Sequence, residues 1–216
     1  MEQYDHNVFI NSQIIYDINN AIRETNYDLE GNCLYEHCSN FTEFPPGFHW
    51  DNKKTLRENL FKIAKRSKNG VEVGFNGGHS ASVYFYGNPS LKLLAFDICH
   101  HAYTIPCAVV LKEKHKCKID LIVGNSLQTL PIYQDGEKYD FIHIDGGHGA
   151  HVAENDLVNC RKFAHENTYL IIDDIKMPQI ENVIDRYVAD KQLVEIDYEK
   201  EGLGITHYHK IYRYVL

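Results

Sequence analysis

An open α/β sheet, doubly wound and mostly parallel, is the fold class the sequence predicts. Three observations predict it. Short apolar runs recur between residues 71 and 172, nearly continuous in the manner of strands covered on both faces. Stretches of helical spacing separate them. Two more strand-like runs close the sequence around Glu201-Gly202-Leu203-Gly204, which reads as a hairpin. Five strand–helix units with right-handed crossovers plus that antiparallel hairpin make a seven-stranded sheet.

Taken in order, residues 1–55 are polar, aromatic and irregular, with Pro45-Pro46-Gly47 and a helix expected only near 12–23. They are assigned to an N-terminal extension or substrate lid carrying Phe41, Phe44, Phe48 and Trp50, ahead of a domain over 56–216. Leu56, Leu60, Ile63 and Ala64 share one helical face, so 54–67 reads as an amphipathic helix ended by Asn69-Gly70. Strands are expected at Val71–Phe75, Leu91–Ile98, Ile119–Val123, Tyr139–Asp145 and Thr168–Ile172. Helices are expected at 79–87, about 102–115, about 151–165 and about 178–190, and the hairpin at Leu193–Tyr198 and Thr206–Val215.

The 216 residues suit one domain with a sizeable core. A formal net charge of -8 without a basic run repels phosphate backbones, so nucleic acid is not an expected partner. No apolar stretch approaches the roughly 18 residues of a membrane span. The start, MEQYDHNVFI, lacks a basic region followed by an apolar one, so a cytoplasmic protein with six free cysteines is expected.

Val71-Glu72-Val73-Gly74-Phe75-Asn76-Gly77-Gly78-His79-Ser80 joins a buried strand to a helix. Its glycines permit a sharp turn and close ligand approach, and the helix amides after it can bind an anion. A purely structural βα turn would have the same glycines. The dinucleotide pattern fails, because Asn76 and His79 stand where its second and third glycines belong. Asp97 ends the next strand, where a carboxylate can accept both hydroxyls of a ribose. Asp145 ends the fourth strand and Asp173-Asp174 the fifth. Neighbouring parallel strands bring these three carboxylates to one crevice, where a divalent cation such as Mg²⁺ would relieve their repulsion. Asp173 could instead cap a helix while Asp145 faces solvent.

The acidic-apolar-Gly-x-x-Gly-Gly-x-Ser run resembles motif I of class I methyltransferases. With FIHIDGGH, DL and YLIIDD downstream, the chain resembles the family often called methyltransferase type 24, related to Mg²⁺-dependent O-methyltransferases of sugars and catechols. The resemblance spans roughly residues 56–175, and residues 1–55 resemble nothing we can name. It implies a Rossmann-like methyltransferase fold that binds S-adenosylmethionine. The cofactor-binding set would be Glu72, Gly74, Phe75, Asn76, Gly78, His79, Ser80, Asp97, Asn125, Ser126 and Asp145. In the family, the acid before the first glycine supports the cofactor's amino group, and the turn at Gly124-Asn125-Ser126 passes the adenine; Asn125 stands where Asp is common. Mg²⁺ would be held by Asp145, Asp173 and Asp174.

His148 occupies the position of the catechol enzymes' lysine base, with His151 one turn on as its rival; either could instead cap the helix over 151–165. His100-His101 follow Asp97 and read first as a solvated loop, with lining of the cofactor pocket as the alternative, and His207 and His209 read as one face of the hairpin. The expected reaction is methyl transfer to a small-molecule hydroxyl, first a sugar or nucleotide sugar, second a phenol or catechol. A non-catalytic cofactor-binding subunit is the alternative from another class. Relatives in the family are often homodimers.

Overall fold

The computed structural model describes residues 3–38 and 51–216. The aromatic residues assigned to a lid, Phe41 to Trp50, lie outside these described residues. The sheet has seven strands: β1 Asn69–Val73, β2 Lys92–Asp97, β3 Lys118–Val123, β4 Tyr139–Ile144, β5 Ala164–Asp173, β6 Leu193–Glu195 and β7 His209–Tyr214, in the order β3-β2-β1-β4-β5-β7-β6. The first five are parallel, and β7 runs antiparallel to both of its neighbours, β5 and β6. The order reverses between β1 and β4, which opens a crevice at their carboxyl ends.

Helices cover both faces, as apolar strands require. On one face α1 (His6–Ile10), α2 (Gln13–Glu24), α3 (Lys54–Arg66), α4 (His79–Gly87) and α5 (Thr104–Val109) pack against Leu93, Ala95, Phe141, Ile171 and Ile211. On the other, α6 (Ser126–Ile132), α7 (Ala150–Cys160) and α8 (Pro178–Ala189) pack against Val71, Val73, Leu94, Phe96, Ile142, Ile144 and Ile172. Pro178 starts α8, where a missing N–H costs nothing.

The expected strands and the longer helices are present with shifted ends, and two expectations need correction. The segment before residue 55 is helical over α1 and α2, whose Phe9, Ile15, Ile18 and Ile22 are buried in the same core as α3. The expected C-terminal antiparallel pair is present as β6 and β7. A short helix, α9 (Tyr198–Glu201), intervenes, started by Asp197, whose carboxylate accepts from Lys200 N, and ended by Gly202 at φ +64°. The helix expected over 151–165 stops at Cys160, and Ala164 already belongs to β5. Thr168 accounts for the early, irregular start of β5. Its buried hydroxyl donates to Tyr139 O at 2.6 Å and accepts from His165 N at 2.8 Å, across a register shift between Tyr139 and Phe141. All six cysteines are free. Among the described residues no helix is long and apolar enough to cross a membrane.

Candidate cofactor and metal site

The ends of β1, β2, β4 and β5 open into one cleft of about 660 Å³. Gly74, Asn76, Asp97, Asn125, Ser126, Asp145, His148, Asp173 and Asp174 all line it. At Gly74 (φ +95°) a Cβ would stand 2.0 Å from Asp145 O, so β1 and β4 can close on each other only with glycine there. The chain then turns through Asn76 (φ +51°), whose N–H donates to Asp97 Oδ2 at 2.8 Å. Cys99 N donates to Asp97 Oδ1 at 2.6 Å, so the acid is aimed before any ligand arrives. Tyr103 locks the loop by donating to Asn76 Oδ1 at 2.7 Å.

The rest of the expected cofactor set is nearby but behind the lining. Gly78 (φ +73°) lies against the Phe75 ring, which is buried beneath the turn. His79 is 1% exposed and faces Asn19 Oδ1 at 3.2 Å, while Ser80 is buried beside the Cys33 thiol. Glu72 is fully buried under the cleft, with Oε1 accepting from the Tyr84 hydroxyl at 3.3 Å. These five residues shape the loop from below. Asn125 spends its Oδ1 capping α6 through Leu127 N, at 3.0 Å.

Burial pushes the His79 imidazole down to about 3. The unfolded chain takes up this proton near the ordinary histidine value, whereas the fold refuses it. His79 therefore withdraws stability as pH falls below about 6.5, at no more than about 1.4 kcal/mol per pH unit. Urea unfolding at pH 7 and pH 5 checks this. The advantage of wild type over His79→Gln should shrink by about 2 kcal/mol; an equal advantage at both values would show that the folded protein protonates His79.

At the other end of the cleft stand the acids. Asp174 adopts φ +55°, an unusual conformation for a non-glycine residue, immediately after β5. His148 Nε2 lies 2.8 Å from Asp174 Oδ2, and that hydrogen bond raises the imidazole above its ordinary value. Donor atoms of Asp145, His148 and Asp174 lie within 4.8 Å of one another, as do those of His143, Asp145 and Asp173. Burial and the Asp173 charge drive the Asp145 carboxyl well up; burial would also raise Asp173, but the imidazole of His143 holds it low. Two such carboxyls cannot both ionise cheaply without a cation between them. Each group joins two carboxylates to one imidazole, with Asp145 common to both, a donor set that a divalent ion fits.

His151 is exposed on α7 and bonded to Asn155 (Nδ1–Nδ2 3.2 Å), away from the cleft lining. Neither histidine caps α7, whose N-cap is Gly149. His100 and His101, read first as a solvated loop, line the cleft as in the alternative reading, with His101 bonded to Glu30 at 2.6 Å. His207 and His209 do not share a face: His207 is exposed ahead of β7, and His209 is buried 3.5 Å from Asp173. The sequence reading missed His143, Tyr84 and His209 as site residues. His143 left a signal, a polar residue inside the otherwise apolar β4; Tyr84 on α4 and His209 at the start of β7 left none of that kind.

A carboxylate-bearing βα crevice with this loop defines the class of nucleoside-cofactor-binding α/β proteins. Residues 71–175 match the family model described as a methyltransferase domain, and the chain has the Rossmann-like methyltransferase fold. No curated protein sequence matches the chain. Among solved structures, an O-methyltransferase from Bacillus cereus in complex with S-adenosylhomocysteine is similar at TM-score 0.61 and 14% identity, covering 95% of this chain and 91% of that one. An S-adenosylhomocysteine-bound methyltransferase from Podospora anserina gives 0.61 and 12%, covering 92% and 88%. The O-methyltransferase TomG of Streptomyces achromogenes, involved in tomaymycin synthesis and complexed with S-adenosylmethionine, gives 0.59 and 12%, covering 98% and 90%.

Proposed function

We propose that this protein is a Mg²⁺-assisted O-methyltransferase acting on a hydroxyl of a sugar or nucleotide sugar. The observation that carries the reading is the union, in one cleft, of the Gly74–Asp97 cofactor half with Asp145, Asp173, Asp174 and His148. Asp97 would accept the ribose hydroxyls, and Asn125 and Ser126 would flank the adenine. A cofactor held there would leave the acidic end of the cleft for the acceptor hydroxyl.

Transfer is an in-line displacement. The sulfur–methyl bond breaks as the oxygen–methyl bond forms, the thioether leaves, and the hydroxyl proton must go to a base. His148 suits that role: Asp174 holds Nε2, and Nδ1 remains to take the proton. A bound divalent cation at Asp145, Asp173 and Asp174 would supply Lewis acidity to the acceptor oxygen. The residues themselves contribute alignment and exclusion of water.

The lining favours a sugar over a catechol. Glu30, Asn32, Lys53 and His148 line the cleft with hydrogen-bonding groups, and Phe96 is the sole Phe, Tyr or Trp among the described lining residues. Polar groups of this kind discriminate hydroxyl-rich ligands, whereas a flat phenol would call for apolar walls. Lys53, which donates to Asn32 O at 3.0 Å, adds a cation suited to a nucleotide sugar's phosphate.

A screen of sugars, nucleotide sugars and catechols with labelled S-adenosylmethionine and Mg²⁺ tests the reading. Methylation of a sugar hydroxyl supports it, transfer only to catechols moves it to phenolic acceptors, and cofactor binding without any transfer supports a non-catalytic subunit. Once an acceptor is in hand, His148→Ala should lower kcat by about 10² to 10⁴. His151→Ala should leave kcat within a factor of about two, since its side chain points away from the cleft and bonds only within α7. Equal losses in both variants would remove His148 from the base role.

A further inference from the structure

Beneath the acidic end runs a chain of buried polar side chains that the transfer step does not use. Strand register sets Glu72 of β1 beside His143 of β4, and Asp173 of β5 beside His209 of β7. Glu72, His143, His209 and Asn59 are each fully buried. The Tyr84 hydroxyl joins Glu72 Oε1, at 3.3 Å, to His143 Nδ1, at 2.6 Å. His143 Nε2 then stands 3.1 Å from Asp173 Oδ1.

The second imidazole reaches the same oxygen. Asn59 is oriented without ambiguity: its amide donates to Gly204 O at 2.7 Å, and its carbonyl accepts from Gly204 N at 2.8 Å. The amide nitrogen also lies 3.0 Å from His209 Nε2, which must therefore be the acceptor. The His209 proton is left on Nδ1, 3.5 Å from Asp173 Oδ1. Two imidazole nitrogens thus face one carboxylate oxygen from below at ion-pair distance, neither contact closing a hydrogen bond, while Asp173 also lines the cleft above.

We propose that His143 and His209 are positioning residues that hold Oδ1 of Asp173 and present Oδ2 alone to a divalent cation. The inference rests on the cation site proposed above. It makes metal affinity depend on two buried imidazoles that do not touch the metal, and it ties that affinity to Tyr84 on α4 and Asn59 on α3. Partners of this kind behind a ligand carry about 10- to 100-fold in metal affinity.

The test uses Mn²⁺ as the probe, followed by its free-ion paramagnetic resonance signal, with S-adenosylhomocysteine affinity measured in parallel by calorimetry. His143→Leu should weaken Mn²⁺ binding by about 10- to 100-fold and leave S-adenosylhomocysteine affinity within about twofold. His143→Gln, which keeps a donor near the Nε2 position, should recover most of that loss. Tyr84→Phe should weaken Mn²⁺ binding in the same direction by less, and serves if the leucine variant does not fold. Wild-type affinity in His143→Leu and Tyr84→Phe, or equal losses in the Gln and Leu variants, would overturn the clamp while sparing the cation site. Wild-type protein that binds no Mn²⁺ would remove the cation site and the clamp together.

Discussion

Asp145→Asn is expected to abolish most methyl transfer while leaving cofactor binding nearly intact. Asparagine keeps the size of the side chain at the end of β4 but removes the carboxylate common to both groups that could hold the cation. Losing several kcal/mol of Lewis-acid stabilisation corresponds to about a thousandfold in kcat, at about 1.4 kcal/mol per factor of ten. Asp145 also stands at the junction with the cofactor loop, since its N–H donates to Val73 O at 2.8 Å. That bond is made by the backbone and survives the substitution. Calorimetry with S-adenosylhomocysteine should therefore change less than about threefold. Mg²⁺ should no longer raise the melting temperature, because a ligand stabilises only the state it binds. A variant with full activity, or one still stabilised by Mg²⁺, would count against Asp145 as a ligand.

Asp97→Ala is expected to show the opposite split. Two hydrogen bonds from ribose hydroxyls to a carboxylate contribute about 1.5–3 kcal/mol each, so affinity for S-adenosylhomocysteine should fall about a hundredfold or more. The substitution also frees Asn76 N and Cys99 N, which aim the glycine loop and the β2 terminus at the cofactor. Titration of the purified variant checks this, with Mn²⁺ binding as the control that should not move. Unchanged cofactor affinity would refute the ribose role. Asp97→Asn should not rescue binding, because its amide turns a donor toward one of two backbone donors.

The fold was legible wherever burial imposed a period. Val71, Leu94, Ile119, Ile142 and Leu170 sit in runs too apolar for anything but covered strands, and all five are in strands. The elements that were missed obey other forces. α1 has five residues and α6 has seven with Pro131 inside, so neither shows a helical stripe. Each is started by a side-chain cap, Asp5 and Asn125, which is a local signal the apolar pattern does not carry. In the final antiparallel pair only the connection differs: Gly202 ends a short helix rather than turning between β6 and β7. The rim of the site was legible because strand ends in a parallel sheet share an edge, which joins Gly74, Asp97, Asp145 and Asp173 across about a hundred residues of chain. The clamp under Asp173 was not. It depends on the register of four strands and on the orientation of Asn59, and a linear sequence states neither.

The claim beneath all of this is spatial: one cleft holds the methyl donor against Asp97 and a dication against Asp145, Asp173 and Asp174. A crystal structure with S-adenosylhomocysteine and Mn²⁺, recorded at the manganese absorption edge, tests it directly. The account predicts one anomalous peak ligated by the three carboxylates, with the ribose hydroxyls on Asp97 and the sulfur turned toward the metal. Manganese bound elsewhere, or a nucleoside seated away from Asp97 with the acidic end empty, would contradict it.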